Sequence, residues 1–339
     1  MFLQREKIKA PEIEGERWFN APPLSIKGLR GKVILIDFWD YSCVNCVRTL
    51  PYVKAWHERY AGMGLITIGV HAPEFDFAKD PSHLQKAIET FGLKYPVVMD
   101  NGYKTWKAFA NRYWPAKYLI DRAGVIRYRH FGEGNAVETE LAIQSLLMEV
   151  EPSLSLPDPM RPLRESDYPG VVCYPPTPEL YLGARRGRIG NREGLQEGKT
   201  VEYVLPDARQ EDIFYAEGPW RAAADHLTFS GGGGGAILVK YSAKEVNLVL
   251  SAKEDGTGGE AIVWLNQNGR PLPKEEIGED VAIDPKGRAF IRAAGPRMVR
   301  LIQNPSFGTH ELRLFTQSKG LTLYAFTFVS CKVSPQEET

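Results

Sequence analysis

Residues 36–51 of this 339-residue chain, IDFWDYSCVNCVRTLP, decide how the rest is read. Ahead of the two cysteines, residues 33–38 form a near-continuous apolar run, the composition of a strand buried on both faces of a parallel sheet. Behind them, Val47, Leu50, Val53, Trp56 and Tyr60 recur at three- and four-residue intervals, one apolar stripe of an amphipathic helix. Cys43 therefore falls where a strand ends and a helix starts. Unpaired N–H groups and partial positive charge at such a start favour thiolate over thiol, so Cys43 is the candidate nucleophile. Cys46 follows one turn later, placed to attack a mixed disulfide on Cys43 and release the partner in reduced form. The implied chemistry is thiol-disulfide exchange.

Composition bounds the alternatives. The length suits two ordinary domains. Lys plus Arg equals Asp plus Glu at 42 each, with no sustained basic stripe, so neither nucleic acid nor an anionic membrane is an expected partner. No stretch approaches the ~20 apolar residues of a membrane span, and the first residues lack the apolar core of a signal peptide. The expectation is a soluble, cytoplasmic protein, or an extracytoplasmic one if the true N-terminus lies upstream. Four cysteines are too few for a disulfide scaffold. A zinc site lacks a second C-x-x-C or H-x-x-x-H, so no metal and no cofactor is expected. In a reducing compartment Cys173 and Cys331 read as buried free thiols, the other reading being a disulfide between the linker's end and the last strand.

Further residues sharpen the family reading. Asp37-Phe38-Trp39 precedes Cys43, a second buried strand follows at 64–70, and Trp114-Pro115 opens another at 114–121. This pattern resembles thioredoxin. The resemblance implies that Asp37 is a buried carboxyl accepting a proton from Cys46, that Trp39 packs beside the redox pair, and that Pro115 is a cis-proline facing the cysteines. It also places Trp114 and Trp39 at the substrate groove. Ser42 stands where thioredoxin has tryptophan, and Val44-Asn45 replaces Gly-Pro, so a redox potential does not carry over. An insert with HAPEFDF at 71–77, a helix at 82–91 and a strand at 95–99 is similar to the TlpA and redoxin group; Glu74 matches the acidic group that some of these reductases hold near the redox pair, the other reading being a solvated loop glutamate. Asp40 and Ile36 stand where a peroxiredoxin needs its threonine or serine and its proline, which argues against a peroxidase. A helix is read at 103–113, a hairpin strand at 125–131 and a closing helix at 136–150. The whole string resembles the soluble C-terminal part of DipZ-type proteins, in which a thioredoxin-like domain precedes a carbohydrate-binding-module-like β-domain.

The expected organisation is a thioredoxin-like α/β domain at 1–152, a Pro-rich linker at 153–180 and an all-β, jelly-roll-like sandwich at 181–334. Eight of the 24 prolines fall within 151–180. Beyond them, short alternating runs at 200–205, 236–241, 246–250, 261–265, 298–302, 311–315 and 321–329 read as strands. The glycines 231–235 read as a flexible hairpin tip, and residues 194–200 fail the spacing of a phosphate loop. Two functions stay open. In one, an enzyme exchanges disulfides with protein substrates through Cys43 and Cys46 and is reset by an upstream thiol reductant or oxidant. In the other, the sandwich binds a glycan or protein, with Trp220, Trp264, Tyr215 and Tyr241 either stacking on sugar or filling the core.

Overall fold

The computed structural model describes residues 3, 8–164, 167–168, 171–253 and 259–332. The chain divides into two compact units, Met1–Pro169 and Gly170–Thr339. The first unit contains, in order, β1 (Ile8–Lys9), β2 (Arg17–Phe19), β3 (Val33–Trp39), α1 (Val44–Tyr60), β4 (Leu65–His71), α2 (Pro81–Phe91), β5 (Val97–Met99), α3 (Lys104–Ala108), β6 (Ala116–Ile120), β7 (Val125–Phe131) and α4 (Ala136–Val150). Among the described residues the sheet order is β1-β7-β6-β3-β4-β5-β2. The apolar run at 33–38 is thus the middle strand, and every residue of β3 is buried. It runs parallel to β4 and antiparallel to β6. The polar lead-in to β3 supplies both edges of the sheet, β1 pairing with β7 and β2 with β5.

Two readings of the first unit need correction. The helix read at 103–113 is only Lys104–Ala108, because Phe109 turns inward against Phe38 and Tyr118 while Ala110 takes a left-handed φ of 51°. The linker read from 153 does not leave the first unit there. Glu140 on α4, 1% exposed, accepts the Met160 N–H at 2.8 Å together with Tyr60 Oη–H at 2.6 Å and Arg59 at 2.8 Å. Tyr52 on α1 accepts the Leu163 N–H at 2.8 Å and donates to Asp167 at 2.5 Å. Leu154, Leu156 and Met160 pack on the core below α1. Residues 153–164 are therefore a strap, pinned by buried acceptors that proline content does not reveal.

The second unit is all-β and antiparallel. Its strands are β8 (Val172–Cys173), β9 (Leu180–Tyr181), β10 (Thr200–Tyr203), β11 (Ile213–Ala222), β12 (Leu227–Phe229), β13 (Gly235–Ser251), β14 (Ala261–Gln267), β15 (Arg270–Pro271), β16 (Ala282–Ile283), β17 (Ala289–Ala293), β18 (Arg297–Thr316), β19 (Thr322–Val329) and β20 (Cys331–Lys332). The expected pairs of runs at 236–241 and 246–250, and at 298–302 and 311–315, are each one long strand. β13 and β18 pair along almost their whole length, with register shifts at Ala243/Glu245 and Val246/Asn247 that let the ribbon bend. β13 pairs with β11 through one half and with β19 through the other, so the folded-over sheet encloses one core. Gly234 and Gly235 are packed rather than flexible: a Cβ at Gly234 would lie 2.7 Å from the Phe315 ring, and one at Gly235 2.5 Å from the Phe229 ring.

Trp220, Tyr241 and Tyr215 are 1%, 0% and 4% exposed, which removes three of the four aromatics from any sugar-stacking surface. Trp264 is half-buried, with the Arg288 guanidinium 4.2 Å above its ring. Cys173 and Cys331 are joined in a disulfide between the paired strands β8 and β20. The expectation of buried free thiols fails because that pairing sets the two residues opposite one another. The end of the expected sandwich, residues 333–334, and most of the first seven residues lie outside the described residues.

Candidate active site

Cys43 is the N-cap of α1, in extended conformation, and its sulfur accepts the Cys46 N–H at 3.2 Å. Cys43 keeps part of its surface exposed, whereas Cys46 is buried. Both remain thiols in this structure. Burial pushes both up from the usual thiol range; for Cys43 the Cys46 thiol and the Glu74 charge add to this, and for Cys46 so do the Asp40 and Asp37 charges. One hydrogen bond joins the two sulfurs, so charge resides on one at a time. The partly solvated Cys43, capping the helix and receiving a backbone N–H, is where a thiolate is better stabilised.

The sheet register assembles the groups beneath the pair. Asp37 stands opposite Gly69 on β4 and opposite Lys117 on β6. Its Oδ1 lies 3.2 Å from Lys117 Nζ, and both side chains are nearly or wholly buried. Burial raises the Asp37 carboxyl, and the Lys117 ammonium opposes that rise. Gly69 is required there: a Cβ would sit 2.9 Å from Trp39 Nε1 and 3.2 Å from Tyr95 Cε2. Phe38 opposite Ala116 sets Pro115 at the end of β3 from which Cys43 emerges. The Trp114–Pro115 peptide is cis, the isomer that the resemblance implies. Pro115 O accepts the Gly132 N–H at 2.8 Å, fixing the loop that follows β7.

The remaining candidates divide. Trp114 is half-buried, stacks near Trp106 at 4.2 Å and donates its indole N–H to Ala72 O at 2.9 Å. Trp39, placed at the groove by resemblance, is 0% exposed and offers no surface to a substrate, because it ends β3 on the face packed against the core under α1. Glu74 is half-buried, its charge acts on Cys43, and its N–H donates to Asp40 Oδ2 at 2.8 Å. Three residues at the site were given no role from the sequence: Asp40, His71 and Lys117. A lysine inside the apolar run PAKYLI is the sequence signal that could have shown a buried acid nearby. Among the described residues no cluster of side chains suits a metal ion.

Comparison with known proteins adds the family. A family described as "AhpC/TSA family" matches residues 8–129, and one described as "Thioredoxin like C-terminal domain" matches residues 177–328. Over 326 residues, 94% of this chain, the sequence is 35% identical to Protein DipZ of Mycobacterium bovis. This chain joins a thioredoxin-like AhpC/TSA domain to a thioredoxin-like C-terminal domain. It spans 42% of the length of that DipZ relative. The thioredoxin-like part is also 28% identical to Thiol-disulfide oxidoreductase YkuV of Bacillus subtilis, covering 42% of this chain and 95% of the relative. Among solved structures, a thiol-disulfide isomerase from Corynebacterium glutamicum is 31% identical, with 41% of this chain and 96% of that one covered and a TM-score of 0.38. In this chain, as in the arrangement expected from the sequence, the Cys43–Cys46 pair belongs to the α/β unit.

Proposed function

We propose that this chain is a thiol-disulfide oxidoreductase acting on protein disulfides or dithiols through Cys43 and Cys46. The observation that carries the reading is the asymmetry of the pair: Cys43 is partly exposed at the cap of α1, and Cys46 is buried one turn behind it with its N–H on the Cys43 sulfur. Cys43 thiolate attacks one sulfur of a substrate disulfide, and the other substrate sulfur departs as thiolate. Cys46 then gives up its proton and attacks Cys43, which closes the Cys43–Cys46 disulfide and frees the second substrate sulfur. Two electrons pass to the substrate, and an upstream thiol partner restores the dithiol; the reverse sequence oxidises a substrate dithiol. Pro115 and Trp114 supply backbone to an extended substrate segment, and Glu74 sets the charge beside the nucleophile.

The test is reduction of insulin disulfides together with the equilibrium potential of the pair against glutathione. Cys43→Ser abolishes turnover, and Cys46→Ser accumulates a mixed disulfide. A potential near ~−270 mV marks a reductant and one well above ~−200 mV an oxidant or isomerase. Failure of the wild type to exchange with any disulfide overturns the reading. As to compartment, the exposed Cys173 in a disulfide supports an oxidising setting over the cytoplasmic one expected from the sequence. Alkylating free thiols in intact cells before extraction tests that placement, since a reduced Cys173–Cys331 pair there rejects it.

A further inference from the structure

The second step above, in which Cys46 loses a proton deep in the protein, needs an acceptor. Asp37 is the one that the thioredoxin resemblance assigns, but its Oδ1 is already held by the Lys117 ammonium at 3.2 Å. A second carboxyl, Asp40, lies in the turn between β3 and α1 and is 0% exposed. The Cys46 sulfur takes the Asp40 backbone N–H, and the charge of Asp40 acts on Cys46 ahead of that of Asp37. Asp40 Oδ1 accepts the Ser42 N–H and the Ser42 hydroxyl, each at 2.6 Å, and Oδ2 accepts the Glu74 N–H at 2.8 Å. These donors hold the carboxylate in place. Ser42, the departure from the thioredoxin pattern, thus serves Asp40.

His71 completes the arrangement. Its ring is 0% exposed, stacked on Tyr41 at 5.5 Å, with Nε2 3.6 Å from Asp40 Oδ2 and, among the described residues, no hydrogen-bond partner on either nitrogen. Burial holds the imidazole neutral, down to about 3. In the tautomer that carries its proton on Nδ1, a neutral Nε2 beside Oδ2 accepts a carboxyl proton, and a buried O–H without such an acceptor costs about 1–3 kcal/mol. We propose that Asp40, backed by His71, takes the proton from Cys46 as Cys46 attacks the mixed disulfide. The Cys46 S–H proton moves to Asp40 Oδ2 and is shared with His71 Nε2. The sulfur left behind forms the bond to Cys43, and the substrate thiolate leaves. The charged groups facing the couple are Cys46 and Cys43 from α1, Glu74 from the loop after β4, and Asp37 with its partner Lys117 from β3 and β6.

This inference rests on the oxidoreductase reading and is tested by separating its two steps. Reduced full-length protein is mixed rapidly with a chromogenic aromatic disulfide, and release of the first and second thiolates is followed as two phases between pH 5.5 and 9. In Asp40→Asn the second phase slows about a hundredfold near pH 7, the scale of a lost general base, and climbs about tenfold per pH unit where the wild type is nearly flat. The first phase stays within about twofold. His71→Phe, which keeps a ring against Tyr41 and removes the acceptor, slows the same phase in the same direction and carries the test if Asp40→Asn does not fold. Equal slowing of both phases would make Asp40 only a clamp on the Cys43 loop and overturn the proposal. So would an unchanged second phase in Asp40→Asn alongside a slowed one in Asp37→Asn. A wild type that releases no thiolate removes the oxidoreductase reading itself, an outcome distinct from these.

Discussion

His71 illustrates how a single buried side chain writes itself into the pH dependence of the whole fold. Burial lowers its imidazole from 6.5 to about 3, so between those values the unfolded chain binds a proton that the folded chain does not. Stability is then fully present above about pH 6.5 and falls as the pH drops toward 3, at roughly 1.4 kcal/mol per pH unit. Asp37 and Asp40 are raised by burial and act with the opposite sign, their contribution being full below ~3.9 and fading as pH rises through their folded values. Comparing wild type with His71→Phe leaves the carboxyl contributions largely in common, because the neutral imidazole places no charge beside Asp40. From urea midpoints at pH 7 and pH 4.5, wild type loses about 2–3 kcal/mol more than the variant. Equal losses would show that His71 is protonated in the folded protein. The same residues show where sequence reading stops. Cys43 and Cys46 were legible because a strand, a cap and a helical stripe are local patterns. His71 reaches Asp40 only through the parallel register that sets Trp39 beside His71, and Lys117 meets Asp37 only through the antiparallel one. Neither register is encoded within a window of a few residues.

At the scale of elements, the strap after α4 shows the same limit in a different form. Its sequence reads as a linker because prolines and charges interrupt every periodicity. What holds it is a set of acceptors and donors on helices already formed, Glu140, Tyr52 and Arg59, together with Arg164, whose guanidinium meets Asp167 at 2.7 Å and Glu133 at 3.1 Å. Glu133 in turn meets Arg48, two residues past Cys46, at 3.4 Å. The strap therefore braces the loop after β7 against the helix that carries the redox pair. Tyr52→Phe removes both hydroxyl bonds, at about 1–2 kcal/mol. Opening of the strap becomes about tenfold more frequent, read as a matching rise in tryptic cleavage after Arg164. Rapid cleavage in wild type, unaltered in the variant, would mean that the segment is a free linker after all. The long strands of the second unit were misread for a related reason. Ser242, Lys244 and Glu245 break the alternation in the middle of β13, yet the backbone pairs on through them by shifting register.

For the molecule as a whole, the covalent feature that matters is the Cys173–Cys331 bond. It joins residues 158 apart and so closes nearly the entire second unit into one loop, from the strand that opens it to the strand that ends it. β8 and β20 are two residues each and, among the described residues, pair only with one another, too short to hold the ends by hydrogen bonding alone. A cross-link over a loop of that length restricts the unfolded chain by up to about 5 kcal/mol. Against that stands a large apolar core, running from Leu182 to Phe328, which folds the sheet without help from either cysteine. The two contributions separate in the double variant Cys173→Ser with Cys331→Ser, which leaves no odd thiol to react with Cys43. Its second unit unfolds at lower urea, by an amount approaching that limit, while the first unit's transition and the exchange reaction of Cys43 and Cys46 are unchanged. If the second unit keeps its wild-type midpoint, the core alone fixes its ends. Loss of exchange activity in the same variant would instead couple the clasp to the redox pair, and the division of labour between the two units would have to be redrawn.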